Sequence, residues 1–353
     1  MKIDQSTNLV SIIMPVKNAG QSVTRALESL GTQTYGNLEI IVVDYGSTDE
    51  TTNKVQKYAA HDGRTKLFTS HEPSSRGQAL NVGLDNATGE YVMFLDANDW
   101  YNPTTVEKMV SEMATHKTDM AICFMKVHGT RPKMSLPHSI NKQDFLMGDA
   151  YTSTPRGTQS LWEFTSDALW DKIFRRSTLN TYAIRFSCAP SHNDSLLFYQ
   201  YTLVSQNFCL IKERLYNYTD EGRGPSDSET GRWDGLCLIE DLFEFCDQNK
   251  FIDHAIVGLN SAISYHTRNM RKLFSRAQMR QIRRRLNHMF KGTPFVLMEH
   301  GENLVLFNKD QLWKDKAERK WHIKALSAIW QSQWWWPSVF QSTDKFVTRM
   351  EKK

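Results

Sequence analysis

Short apolar runs alternate with segments of helical period through the first hundred residues, and that alternation predicts βαβ units around a mainly parallel sheet. Val10–Val16 reads as a strand, and Val23, Ala26, Leu27 and Leu30 then recur at helical spacing. Leu38–Val43 is the next apolar run, after which Ser47 and Glu50 have the spacing of a capping box opening a second helix. A short strand near Lys66–Thr69, a helix near Gln78–Asn86 and a strand over Glu90–Leu95 complete three units. Asn102 and Pro103 read as the cap and first residue of a further helix reaching His116, followed by an apolar strand over Met120–Phe124. Sheets of this kind bind ligands at the carboxyl ends of their strands, which directs attention to Pro15, Asp44 and Asp96.

Beyond these units the pattern loosens. Thr130–Arg156 contains Pro and Gly and reads as a loop region, and a second ordered block runs from Trp162 to Tyr218. Thr219–Gly231 is rich in Gly, Ser, Asp and Glu, which places a boundary there: residues 1–230 form one domain and 231–353 a mostly helical C-terminal region. Leu236, Ile239, Leu242, Phe243 and Phe245 carry helical periodicity within the latter. Its most basic stretch is Met270–Lys291, and Trp330 and Trp334–Trp336 lie towards its end.

At 353 residues the chain exceeds what a single core usually supports, which agrees with two parts. Net charge is only +4, so no global field marks a nucleic-acid binder and none is expected as a partner. The first residues show no apolar leader, and no apolar run approaches the roughly 20 residues needed to span a bilayer. A cytoplasmic location is expected. The five cysteines show no CxxC pair or zinc-like spacing and read as reduced, mostly buried thiols.

The segments VSIIMPVKNAG, QTYGNLEIIVVDYGSTDETT and RGQALNVGLDNATGEYVMFLDANDWYNP together resemble the family 2 glycosyltransferases of the GT-A fold. The likeness continues more faintly through LWDKIFRRSTL and SHNDSLLF, covering roughly residues 8–220. It implies a Rossmann-like α/β fold with a mixed, mainly parallel sheet flanked by helices. It further implies transfer of a sugar from a nucleotide diphosphate donor, with inversion, to a saccharide or lipid-linked acceptor in cell-surface polysaccharide synthesis. Such chemistry needs positive charge beside the leaving diphosphate, which a divalent cation can supply, and a base for the acceptor hydroxyl.

By that resemblance the donor site draws on Pro15, Val16, Asn18, Asp44, Tyr45, Arg76, Asp96 and Ala97, and the base is Asp194. Asp96, Asn98 and Asp99 stand in the D-x-D-D element that would hold Mn²⁺ or Mg²⁺. Asn98 replaces the usual metal-binding Asp; an amide carbonyl can ligate a hard cation but brings no charge, so affinity falls or Asp99 takes over. Tyr45 replaces the Asp that contacts the nucleotide base, and a tyrosine there can stack on a base, hydrogen-bond to it, or fill its pocket. Lys17 is either a phosphate contact or a solvated lysine. Asn81 and Gly83 read as helix-packing residues, and Trp170, Asp171 and Lys172 match the family's W-x-K segment.

Asn193 replaces the Glu that usually precedes the base, and either Asn193 or Asp194 can also serve as a helix cap. Arg223 and Ser226 sit where related enzymes have a loop closing over the diphosphate. With Tyr45, Asn98 and Asn193 all altered, a binding or scaffolding protein on the same fold is the alternative to an enzyme. The arginines over Arg280–Arg285 and the tryptophans Trp334–Trp336 suggest peripheral contact with the inner membrane face, or else a solvated helix face and internal packing.

Overall fold

The computed structural model describes residues 8–69, 75–129, 150–151, 167–187, 193–220, 229–252, 255–300 and 303–308. Strands β1 (Val10–Val16) and β2 (Leu38–Asp44) are buried along their whole length, as near-continuous apolar runs should be when helices cover both faces. They pair in parallel from Val10 opposite Leu38 to Val16 opposite Asp44. β3 (Thr65–Thr69) pairs in parallel with β2, and β4 (Tyr91–Phe94) with β1. β1 and β2 end level and β4 ends opposite Ile13, so the segments after Val16, Asp44 and Phe94 all leave from the same end of the sheet.

The sheet continues through strands of both directions. β8 (Lys172–Arg175) runs antiparallel to β4 and to β6 (Met120–Gly129), and β9 (Phe208–Asp220) lies parallel to β6. β5 (Trp100–Tyr101) and β7 (Ala150–Tyr151) pair antiparallel with β9. Nine strands among the described residues thus form one sheet, ordered β3-β2-β1-β4-β8-β6-β9-β5 with β7 beside β9.

Helices α1 (Val23–Gly31), α2 (Thr51–His61), α3 (Arg76–Asn86) and α4 (Thr105–His116) connect the first strands, and α5 (Arg176–Thr181), α6 (Asn193–Val204) and α7 (Glu229–Gln248) follow. α1 buries Val23, Ala26, Leu27 and Leu30, the periodic set of the sequence. α3 lies close on β1: a Cβ at Gly83 would stand 2.3 Å from Ile13 Cγ2. Asn81 clamps the chain beyond α5, donating to Phe186 O (3.0 Å) and accepting from Phe186 N (2.9 Å). Both observations match the packing role expected of these residues.

Buried polar chemistry also ties the sheet. Glu39 Oε1 accepts from Ser11 Oγ (2.6 Å), Thr88 N (2.6 Å) and Gly89 N (3.1 Å), joining β1, β2 and the turn into β4.

Two local expectations are corrected. Asn102 and Pro103 do not open a helix; α4 starts at Thr105. Their groups are used elsewhere, with Asn102 N and Nδ2 donating to Leu215 O and Arg214 O and Pro103 O accepting from Thr34 N. Nor do Ser47 and Glu50 form a capping box, because Ser47 Oγ accepts from Asn18 N and α2 begins only at Thr51. Among the described residues capping boxes form at Ser75 with Gln78 and at Ser275 with Gln278.

Two compact units are distinguished; α7 lies in the first, whose last segment ends at Gly258, and the main segment of the second starts at Leu259. The second contains most of α8 (Ile256–Arg271), then α9 (Arg276–Met289) and the hairpin β10 (Phe295–His300) and β11 (Asn303–Asn308). Within it Asn260 exchanges two hydrogen bonds with Leu306, and Ser264 Oγ donates to Leu304 O (3.0 Å). Among the described residues no helix is long and apolar enough to cross a membrane. Cys123, Cys209 and Cys246 are buried thiols, as expected.

Candidate active site

The loops after β1 and β2 build one wall. Asn18 takes a positive φ of 50°, accepts from Thr48 N (2.8 Å) through Oδ1, and donates its own N–H to Ser47 Oγ. Asp44 is 3% exposed; Oδ1 accepts from Gly46 N and Ser47 N, and Oδ2 from Thr52 Oγ1. Its carboxylate is committed to the turn. Tyr45 N donates to Val16 O (3.2 Å), and the Lys17 ammonium lies 5.4 Å from the centroid of the Tyr45 ring. Burial raises the Tyr45 hydroxyl pKa; Arg76 opposes this, while Asp96 and Asp44 add to it. The ring therefore stands in the field of the central charged cluster. Pro15, Val16 and Ala97 are buried.

That cluster is centred on Arg76, the first residue of α3 after the Ser75 cap. Its Nη2 lies 2.6 Å from Asp96 Oδ1, and its Nη1 lies 2.6 Å from Asp194 Oδ1 and 3.2 Å from Asn193 Oδ1. One guanidinium thus joins the loop after β4 to the start of α6. Gly77 permits the approach: a Cβ there would stand 1.9 Å from Ser187 O and 3.4 Å from Asn193 Cβ. Burial works against the charge of Arg76, but Asp194 and Asp96 outweigh it and hold the pKa above the ordinary arginine value. Burial likewise raises Asp194; Arg76 pulls it down and Asp96 adds to the rise, leaving it above the usual carboxylate range.

The loop from Asp96 to Asp99 is fixed on its far side. Asp99 is fully buried, with Oδ2 accepting from the Tyr216 hydroxyl and Oδ1 from Thr219 N (2.6 Å). Burial, with Asp96 adding to it, pushes its pKa up to about 7. The Asn98 carbonyl accepts from Arg25 Nη2 (2.6 Å) and Thr219 Oγ1 (2.7 Å), and the Arg25 guanidinium lies 3.9 Å from the centroid of the Trp100 ring.

These contacts bear on a divalent ion. Asp99 is engaged at both oxygens, Asn98 offers an uncharged amide, and Asp96 is already ion-paired at Oδ1. Among the described residues no group of three or more His, Cys, Asp or Glu is placed to hold a metal. The set present is a poor fit to a hard cation, which calls for several anionic or carbonyl oxygens.

Two contributors, Asp167 and Arg25, carry no local signal in the sequence. Asp167 accepts from Ser195 Oγ on the first turn of α6, beside Asp194. Trp170 stacks on Tyr218, with centroids 5.9 Å apart and planes at 8°. Lys172 is buried and donates to Asp171 Oδ1 (2.7 Å) and Ala168 O (2.6 Å), so the W-x-K segment is a packed, ion-paired strand start. Arg25 was hidden as an exposed position on an amphipathic helix. Arg223, Ser226, Trp330 and Trp334–Trp336 lie outside the described residues.

Residues 11–171 match the model of the family described as Glycosyl transferase family 2. Glycosyltransferase GlyA of Streptococcus pneumoniae is 26% identical over 234 residues, covering 64% of this chain and only 32% of that protein. The putative glycosyltransferase EpsH of Bacillus subtilis is 26% identical over 273 residues, covering 74% of this chain and 76% of EpsH. The structure of S. aureus TarS 1-349 shares the fold, with a TM-score of 0.62 at 21% identity and 81% of each chain covered. Residues 11–171, which supply the donor-side strands and Arg76 with Asp96, are thus similar to the family 2 glycosyltransferases, and the chain has a GT-A-type fold.

Proposed function

We propose that this chain transfers a sugar from a nucleotide diphosphate donor to a hydroxyl of a saccharide or lipid-linked acceptor, with inversion, in the synthesis of a surface glycan. The observation that carries this reading is the span of Arg76, whose guanidinium links Asp96 on the donor-side loop to Asp194 at the start of α6. In the reaction the acceptor O–H loses its proton to a carboxylate oxygen of Asp194. The acceptor oxygen bonds to the anomeric carbon from the face opposite the diphosphate, and the carbon–oxygen bond to phosphate breaks with its electron pair leaving on the diphosphate.

A base is typically worth about 10²- to 10⁴-fold in rate and works best with a pKa raised towards the operating pH. The burial of Asp194 supplies that direction. Arg76 carries the positive charge nearest the reacting groups. Asn18 and Asp44 hold the turn that carries Tyr45, and Tyr45 offers a ring where a nucleotide base would lie. Structures of TarS in complex with UDP and with UDP-GlcNAc support the donor class.

The test is a thermal-shift screen of nucleoside diphosphates and their sugars. Binding raises the melting temperature by mass action, so no acceptor need be known. The reading predicts a rise with at least one nucleotide, weakened in Asp96→Ala; no response to any member of the panel refutes it.

Peripheral contact with an anionic membrane is part of the same reading. His254–Met298 contains seven Arg, two Lys and no Asp or Glu. On α9, Ile282 and Leu286 are buried while Arg276, Arg280 and Arg284 are exposed. Such a helix meets a bilayer through charge, so flotation with anionic liposomes should occur at low salt and vanish at high salt. Failure to float at low salt removes this part.

A further inference from the structure

The donor site inferred above contains a cation of its own at the place where the chemistry asks for one. Arg76 is paired with the one carboxylate of the D-x-D-D element that is not consumed by neighbours, and with the base beyond it. The position after Ala97 carries an amide in place of a carboxylate, and Asp99 is sealed by Tyr216 and Thr219. A divalent ion entering here would meet two carboxylates, Asp96 and Asp194, each already paired to Arg76, and a guanidinium that repels it. A diphosphate entering here would meet the planar fork of Arg76, suited to bidentate contact with phosphate oxygens once its Nη groups turn from Asp96 and Asp194.

We propose that Arg76 replaces the divalent cation as the partner of the donor diphosphate, so that this chain binds its donor without metal. The proposal rests on the donor-site reading and adds to it the identity of the charge that meets the phosphates. Arg76 has a second effect in the same geometry. Without donor it occupies Asp194 Oδ1, and once its hydrogen bonds turn to phosphate oxygens that carboxylate is released to accept the acceptor proton. Donor binding therefore precedes activation of the base. Asn98 fits this scheme, since a carboxylate at that position would add negative charge beside the diphosphate with no ion to compensate it.

Isothermal titration calorimetry of the whole chain with a panel of nucleoside diphosphates tests this, each run in excess EDTA and in saturating Mn²⁺. The dissociation constant of the wild type should agree between the two conditions to within about twofold. Arg76→Met in EDTA should bind about tenfold or more weakly. Asn98→Asp restores a charged ligand and should bind more tightly in Mn²⁺ than in EDTA by about tenfold. A wild type that binds about tenfold or more tightly in Mn²⁺, or an Arg76→Met variant that binds as well as wild type in EDTA, overturns the proposal. The wild-type comparison needs no variant to fold. Absence of binding in both conditions refutes instead the donor-site reading beneath it, and the proposal falls with that reading.

Discussion

Replacing Arg76 by Met removes the one cation between Asp96 and Asp194, and the structure sets the size of the effect. The side chains of Arg76, Asp96 and Asp194 are 26%, 25% and 14% exposed, so solvent screens the cluster only in part. Two charges at 4 Å interact by about 4 kcal/mol at an effective dielectric constant of 20, and removing one partner from a buried pair costs about 3–5 kcal/mol. A loss of about 3 kcal/mol near neutral pH is the expected outcome. Its pH dependence is diagnostic. Without the guanidinium the two carboxylates face each other in a buried site, and their folded-state pKa values rise above those of the unfolded chain. A carboxylate raised in this way destabilises the fold above its unfolded pKa, and stability returns as pH falls through the folded value. Urea denaturation followed by fluorescence of the ten tryptophans should show about half the loss at about pH 5 that it shows at about pH 8. Asp194→Asn in the Arg76→Met background should restore about 1 kcal/mol or more at the higher pH. An equal loss at both pH values, with no recovery in the double variant, refutes the reading of Arg76 as a charge bridge.

Gly77→Ala sets a Cβ 1.9 Å from Ser187 O, a backbone atom, so α3 and the chain before α6 must part. It should cost about 1–3 kcal/mol in urea unfolding and weaken nucleotide binding through the adjacent Arg76; unchanged binding would show that α3 does not set the site. Glu39→Ala leaves Ser11 Oγ and Thr88 N without their buried acceptor, while Gly89 N keeps Ser11 Oγ, and should cost about 3 kcal/mol. Burial pushes Glu39 upwards, but hydrogen bonds from Ser11, Thr88 and Lys66 outweigh it and lower its pKa. Its contribution is thus present above the unfolded pKa and lost as pH falls through the folded one, so the variant should lack that part of the acid-induced loss of stability.

The parallel core of the fold was legible because β1, β2 and β4 are buried on both faces and written as apolar runs, and because α1 is amphipathic. Errors fell where tertiary contacts override local chemistry. Asn102–Pro103 has the sequence of a helix start, yet β9 and Thr34 consume its backbone groups. Ser47 serves Asn18, a contact between loops that are 29 residues apart.

The site was read in part. Resemblance points to Arg76, Asp96 and Asp194, and the structure brings all three together. What the sequence did not reveal is that they share one guanidinium, because that depends on Gly77 letting α3 close on the start of α6. Asp99 shows the same limit from the other side: its neighbourhood in sequence suggests a metal ligand, while Tyr216 and Thr219, more than a hundred residues later, hold it as a buried structural carboxylate.

The most direct test of glycosyl transfer is release of nucleoside diphosphate from the nucleotide sugar that binds, comparing wild type with Asp194→Asn in the presence of candidate acceptors. Asp194→Asn keeps a hydrogen-bond acceptor for Arg76, so donor binding should persist while acceptor-dependent release falls by about 10²-fold or more. Equal release by the two proteins would contradict the assignment of Asp194 as the base and, with it, the account of how this site transfers a sugar.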